Sequence, residues 1–218
     1  MKVKNLSEIL KENPEFNPEW KFQGDMIANQ KFGSSRHIVI CDDKGEPLYD
    51  TIEIRETPGV IILPYYQDKG VFYLGIVRQK RPIIEDPKTK SQGNVLSIEF
   101  PRGFALKGEP TEEAVRRELS EETGSMVKKL FYLGSINPLT SLYAEQKANE
   151  VFAAEVDSKV SEKRDKSLSK EAQKEGISSS QYLPLNEIFT FIKKGEMFCG
   201  LSQAALLKFL IHHNISIK

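Results

Sequence analysis

The sequence predicts an α+β protein, and three observations carry that class. A β-rich front piece comes first, strands with interspersed helices follow, and no internal repeat is visible. The front piece shows as "RHIVICDDKGEPLYDTIEIRET" (36–57), two strands joined by a turn at Asp43-Lys44-Gly45. Two more continuously apolar runs, "VIILPYY" and "VFYLGIVRQ", then read as strands buried on both faces.

In order, residues 5–12 predict a short helix that Pro14 and Pro18 would end. In the second strand of the front hairpin, Leu48, Ile52 and Ile54 fall on one face and Tyr49, Thr51, Glu53 and Arg55 on the other. Asp68-Lys69-Gly70 supplies the turn between the two apolar strands. "NVLSIEFPRG" (94–103) is a further strand running into an acidic segment, itself a loop and then a helix. Thr111 is the expected N-cap, Glu112 and Glu113 sit where the helix dipole favours negative charge, and Gly124 is the stop. Ala114, Val115 and Leu119 form its inward stripe. Strands follow at 129–136 and 147–156. Residues 157–176 predict an exposed loop, with a short solvated helix as the alternative. A strand at "ISSSQYLPL", a helix ended by Gly195, and a last helix with Leu206 and Leu210 on one face complete the chain. The expected division is 1–57, an N-terminal helix and hairpin, and 58–218, the main domain.

Lys plus Arg and Asp plus Glu both total 31, so no global field points to nucleic acid or an anionic membrane. Charge-based function must be local. Cys41 and Cys199 have no metal-binding or framework spacing, which fits a reducing cytoplasm. The N-terminus lacks the apolar core of a signal peptide, and no run reaches membrane-span length.

The local charge lies in "GFALKGEPTEEAVRRELSEETGS" (103–125). On a helix, residues four apart share a face, so Glu118 and Glu122 align, with Arg117 and Glu121 in a second row. A solvated helix with incidental ion pairs is the ordinary reading of any such glutamate pair. Here the stacked carboxylates need positive charge, which Arg117 and a hard divalent cation can supply. With oxygen ligands and no nearby His or Cys, that cation is Mg²⁺ or Mn²⁺, which points to phosphate ester or anhydride chemistry.

Gly103, Glu109, Arg117, Glu118, Leu119, Glu121, Glu122 and Gly124 occupy every fixed position of the Nudix box, G-x5-E-x7-R-E-U-x-E-E-x-G-U, up to its last. The segment resembles that box, with Ser125 where an aliphatic is expected and Met126 or Val127 available for its packing role. The resemblance implies a Nudix-type α/β/α sandwich with a mixed sheet, preceded by a small antiparallel β-subdomain. It implies a Mg²⁺-dependent hydrolase with Glu118, Glu121 and Glu122 on the metal and Arg117 orienting them. Glu109 either joins the metal's outer shell or caps the loop.

"IVRQKRP" (76–82) and "IEFPRG" (98–103) are similar to the ADP-ribose pyrophosphatase branch, with Arg102 in place of the usual alanine. That likeness implies hydrolysis of a nucleoside diphosphate sugar, ADP-ribose first. ADP-glucose, GDP-mannose, NADH and coenzyme A remain alternatives within the class, and a non-hydrolytic nucleotide-sugar sensor is the alternative outside it. The Arg102 backbone carbonyl would meet the metal. Arg81 would hold the pyrophosphate, or else be a strand-end arginine in solvent. Glu99 would touch base, ribose or an outer metal, or else form a buried ion pair. Tyr49 and Arg55 would reach the adenine across a homodimer formed through the front hairpin, or else be plain surface residues. Trp20, just upstream, reads as core or dimer packing. Glu175, Glu171 and Glu145 are the candidates for the general base.

Overall fold

The computed structural model describes residues 2–18, 26–30, 33–56, 59–81, 95–137, 143–144, 149–157 and 168–216. Trp20, Glu145 and residues 158–167 of the charged 157–176 stretch lie outside them. The chain divides into two units, Met1–Pro58 with Asn137–Ala148, and Gly59–Ile136 with Asn149–Lys218.

The first unit is a five-stranded sheet. Strands β1 (Lys2–Asn5), β3 (Gly33–Cys41), β4 (Pro47–Glu56) and β10 (Tyr143–Ala144) lie in that order, and β2 (Met26–Gln30) also pairs with β3. All pairings are antiparallel except β10 on β4. Helix α1 (Leu6–Glu12) follows β1 and buries Leu6 and Ile9 against Val39 and Cys41. The β3–β4 turn is built by Asp42, whose Oδ1 accepts the N–H groups of Lys44, Gly45 and Glu46 at 2.8, 2.8 and 2.9 Å. Gly45 takes φ 101° there, which a side chain would resist. On β4 the polar face buries Thr51 and Glu53, and Asp50 is buried on the opposite face, where Leu48 is 54% exposed. Polar partners make that burial tolerable: His37 Nε2 is hydrogen-bonded to Asp50 Oδ2 at 2.6 Å, and Arg36 pairs with Glu53.

The second unit is a seven-stranded mixed sheet between helices. The path runs β12 (Ile177–Pro184), β6 (Val71–Arg81), β5 (Gly59–Asp68), β11 (Asn149–Val156), β9 (Val127–Ile136). Strand β7 (Val95–Glu99) pairs with β6, and β8 (Arg102–Phe104) with β5. Only β5 and β11 are parallel. Burial on both faces explains the unbroken apolar run of β5. Val60 and Ile62 pack on Ala114, Val115 and Leu119 of α2 (Thr111–Thr123). Ile61, Leu63 and Tyr65 face Ile188 of α4 (Leu185–Lys193) and Ala205, Leu206, Phe209 and Leu210 of α5 (Gly200–His212). Alternation along a strand thus makes an α/β/α sandwich. Among the described residues no helix is long and apolar enough to cross a membrane.

Two local expectations change. The N-cap of α2 is Pro110, not Thr111. Proline suits the extended backbone before the first turn, and the Thr111 hydroxyl instead donates to Glu150 Oε2 at 2.7 Å. The 157–176 stretch contains a short helix, α3 (Lys170–Lys174), anchored by Ala172 packing on Val77 and Ile177.

Candidate active site

The site is built on α2 and on the strand ends beside it. Gly124, at φ 66°, closes the helix by donating its N–H to Ser120 O at 3.0 Å. Beyond it, Ser125 is 1% exposed and accepts a hydrogen bond from the Tyr182 hydroxyl at 2.9 Å. Val127 packs into the α2 core cluster, while Met126 is 77% exposed. The hydroxyl that stands in place of an aliphatic side chain has a polar partner in Tyr182, and Val127 supplies the apolar contact.

Helix periodicity turns Glu118 and Glu122 inward beside Val115 and Leu119, and both carboxylates are buried. Burial pushes the Glu118 carboxyl up to about 7, against the pull of Arg117. Burial, then the charges of Glu118 and Glu175, pushes Glu122 well above the ordinary carboxylate range. One Glu122 oxygen accepts the Arg102 backbone N–H; the other, Oε2, is buried without a hydrogen-bond partner. Arg117 organises the rest. Its Nε and Nη2 bond both oxygens of Glu109 at 3.0 Å, Nη1 meets Glu118 Oε1 at 2.7 Å and Glu121 Oε2 at 3.5 Å, and Nη2 also donates to Phe104 O at 2.9 Å. Glu109 further accepts the Leu106 N–H at 2.8 Å, so its carboxylate anchors the loop and Arg117.

Gly103 makes room for this array, a role its place in the motif did not reveal. A Cβ there would stand 2.0 Å from Glu118 Cδ and Oε1. Gly103→Ala is therefore expected to displace the Glu118 carboxylate and cut turnover at least about tenfold, with little change in the unfolding midpoint. Steady-state kinetics beside a thermal melt would separate the two effects.

Glu99 is 2% exposed and receives Arg81 through Nε at 2.8 Å and Nη2 at 2.7 Å. Arg102 Nε lies 3.3 Å from the same carboxylate. Burial works to raise Glu99, and the Arg81 hydrogen bonds overcome it, leaving the carboxyl below its ordinary range. Glu175 is exposed, in the turn after α3; its carbonyl accepts from Gln79 Nε2 at 2.9 Å, and its charge is felt by both Glu118 and Glu122. Glu171 lies on α3. Tyr49 and Arg55 lie on β4 of the first unit, opposite Ile40 and Ser34 of β3.

Among the described residues no three carboxylate, imidazole or thiol groups stand together ready to hold a metal ion. Arg117 draws Glu118 and Glu121 to itself instead. The donor chemistry nevertheless fits a hard divalent cation: two buried carboxylates with raised pKa, one with an unpartnered oxygen.

The protonation of this pair fixes a pH dependence. Unfolded, both carboxyls titrate near 4.5; folded and metal-free, Glu118 titrates at about 7 and burial holds Glu122 well above its ordinary range. The folded state therefore binds more protons between those values, and stability falls as pH rises through 7. With a chelator present, urea midpoints are expected to drop from pH 5 to pH 8, with Glu118 contributing on the order of 2–3 kcal/mol. Saturating Mg²⁺ should remove most of that drop.

The family model of the NUDIX domain matches residues 55–198. A solved structure described as the crystal structure of an ADP compounds hydrolase superposes with a TM-score of 0.60 at 18% identity, covering 88% of this chain and 94% of that one. No curated protein matches the chain in sequence. The chain belongs to the NUDIX domain family. Within that family it is a pyrophosphohydrolase acting on nucleotide derivatives.

Proposed function

We propose that this chain hydrolyses the diphosphate of nucleoside diphosphate sugars with Mg²⁺, ADP-ribose foremost, giving AMP and ribose 5-phosphate. The observation that carries the reading is the buried Glu118–Glu122 pair with its unpartnered Glu122 oxygen. Glu118, Glu121, Glu122 and the Arg102 carbonyl would hold the cation, and Mn²⁺ would substitute. When bound, the metal offsets charge on the diphosphate and favours ionisation of the attacking water.

The protein's own groups do the rest. Arg117 keeps Glu118 and Glu121 aligned. Arg81, whose Nε and Nη2 rest on Glu99, turns its remaining N–H donors to the phosphate oxygens. Glu175 accepts the proton of a water that adds to phosphorus as the anhydride P–O bond breaks. Support for that role is its electrostatic reach to Glu118 and Glu122. Glu99 would touch base, ribose or an outer metal. In a cytoplasmic homodimer joined through the 1–57 segment, Tyr49 and Arg55 would contact the adenine of the partner's site. Sedimentation is expected to show a dimer that deletion of 1–57 dissolves; a monomeric full chain would end that part of the reading.

Chromatography of products from ADP-ribose, ADP-glucose, GDP-mannose, NADH and coenzyme A, each with Mg²⁺ and with chelator, tests the whole. Metal-dependent release of AMP from ADP-ribose is expected. Cleavage of another compound alone would move the substrate. Tight binding of one compound with no cleavage of any would replace the enzyme with a nucleotide-sugar sensor.

A further inference from the structure

One buried carboxylate in the site serves two guanidiniums. Glu99 Oε2 takes Arg81 Nη2 at 2.7 Å and lies 3.3 Å from Arg102 Nε. Arg81 spends two donor groups on Glu99 in a bidentate pair. Arg102 makes only the looser ion contact, and among the described residues nothing accepts a hydrogen bond from its guanidinium. The three groups carry a net charge of +1, and the positive excess belongs to Arg102. Its side chain is one-third exposed, while its backbone N–H is bound to Glu122. Strand β8 fixes that backbone, with Arg102 opposite Ile61 of β5. A cation with donors to spare is thus held between the Arg81–Glu99 pair and the box carboxylates.

We propose that Arg102 determines specificity by supplying a second guanidinium for the diphosphate, so that the site selects two linked phosphates over one. This rests on the diphosphate-hydrolase reading above. A single phosphate is satisfied by one fork, whereas a diphosphate presents non-bridging oxygens on two phosphorus atoms and can engage both arginines. Glu99 sets their spacing and lowers their mutual repulsion.

Calorimetric titration of inorganic pyrophosphate and inorganic phosphate, with Mg²⁺ present, tests this on the wild type, Arg102→Ala and Arg102→Lys. Wild type is expected to prefer pyrophosphate. In Arg102→Ala pyrophosphate affinity should fall about tenfold, as expected for one charge-assisted hydrogen bond, and phosphate affinity should change less than about twofold. Arg102→Lys should lie between, because it keeps the charge without the fork. It also serves if the alanine variant melts early. Equal losses for both anions, unchanged pyrophosphate affinity, or a wild type without the preference would overturn the proposal. Failure of ADP-ribose turnover with the pyrophosphate loss intact would sink the substrate reading and leave this one standing. ADP-ribose turnover with unchanged pyrophosphate affinity would do the reverse.

Discussion

Glu122→Gln is expected to lower Mg²⁺-dependent turnover by roughly a thousandfold, the scale of losing a metal's charge stabilisation in the transition state. The same variant should be more stable than wild type. Wild-type Glu122 is 3% exposed, its pKa is pushed well up by burial, and Oε2 has no partner, so ionising it at neutral pH works against folding. Glutamine keeps the shape and can still accept the Arg102 N–H while removing the charge. A rise of about 1 kcal/mol in unfolding free energy at pH 7.5 in chelator is expected. Activity and stability moving in opposite directions is the signature of a group held for function. Turnover near wild type would refute the metal assignment.

Arg117→Ala should be damaging in both respects. One guanidinium serves Glu109, Glu118, Glu121 and the Phe104 carbonyl. Its removal strands a buried Glu118 and releases the loop that Glu109 anchors. The expected loss is about 2–3 kcal/mol at pH 7.5, discounted from the full cost of breaking a buried pair because Arg117 is 27% exposed. Activity should vanish with it. The sign against pH is distinctive. Below about pH 6 Glu118 is protonated and no longer needs the arginine, so the gap to wild type should narrow. Arg117→Lys should not restore the protein, since an ammonium cannot bridge four acceptors in one plane. Urea denaturation at pH 5.5 and 7.5 checks both statements. A gap that is constant with pH would show that Arg117 acts through something other than the Glu118 charge.

What could be read from the sequence was local in origin. Apolar runs without alternation marked β5 and β6 as covered on both faces, and the structure places α2 on one side and α4 and α5 on the other. The four-residue spacing put Glu118 and Glu122 on one helix face, and the fold shows that face to be buried. Long-range pairing was the obscure part. Strand β1 is short and owes its existence to β3, whose partners from Ile38 to Cys41 lie far along the chain from Asn5 and Lys2, a pairing no local pattern encodes. On β4, burial of Asp50 and Glu53 follows from His37 and Arg36 across the strand pair, against the polarity of the sequence. Likewise the Ser125 departure made sense only once Tyr182, 57 residues on, supplied its partner. Within the site, the ion pair of Glu99 depends on Arg81, 18 residues away.

If the inward carboxylates of α2 hold a divalent cation, that binding can be measured without any substrate. Mn²⁺ titrated into the wild type and followed by electron paramagnetic resonance should show a saturable site that Mg²⁺ displaces. Glu122→Gln should lose that site while keeping its fold by circular dichroism. Mn²⁺ binding of equal strength in a folded Glu122→Gln protein would contradict the account.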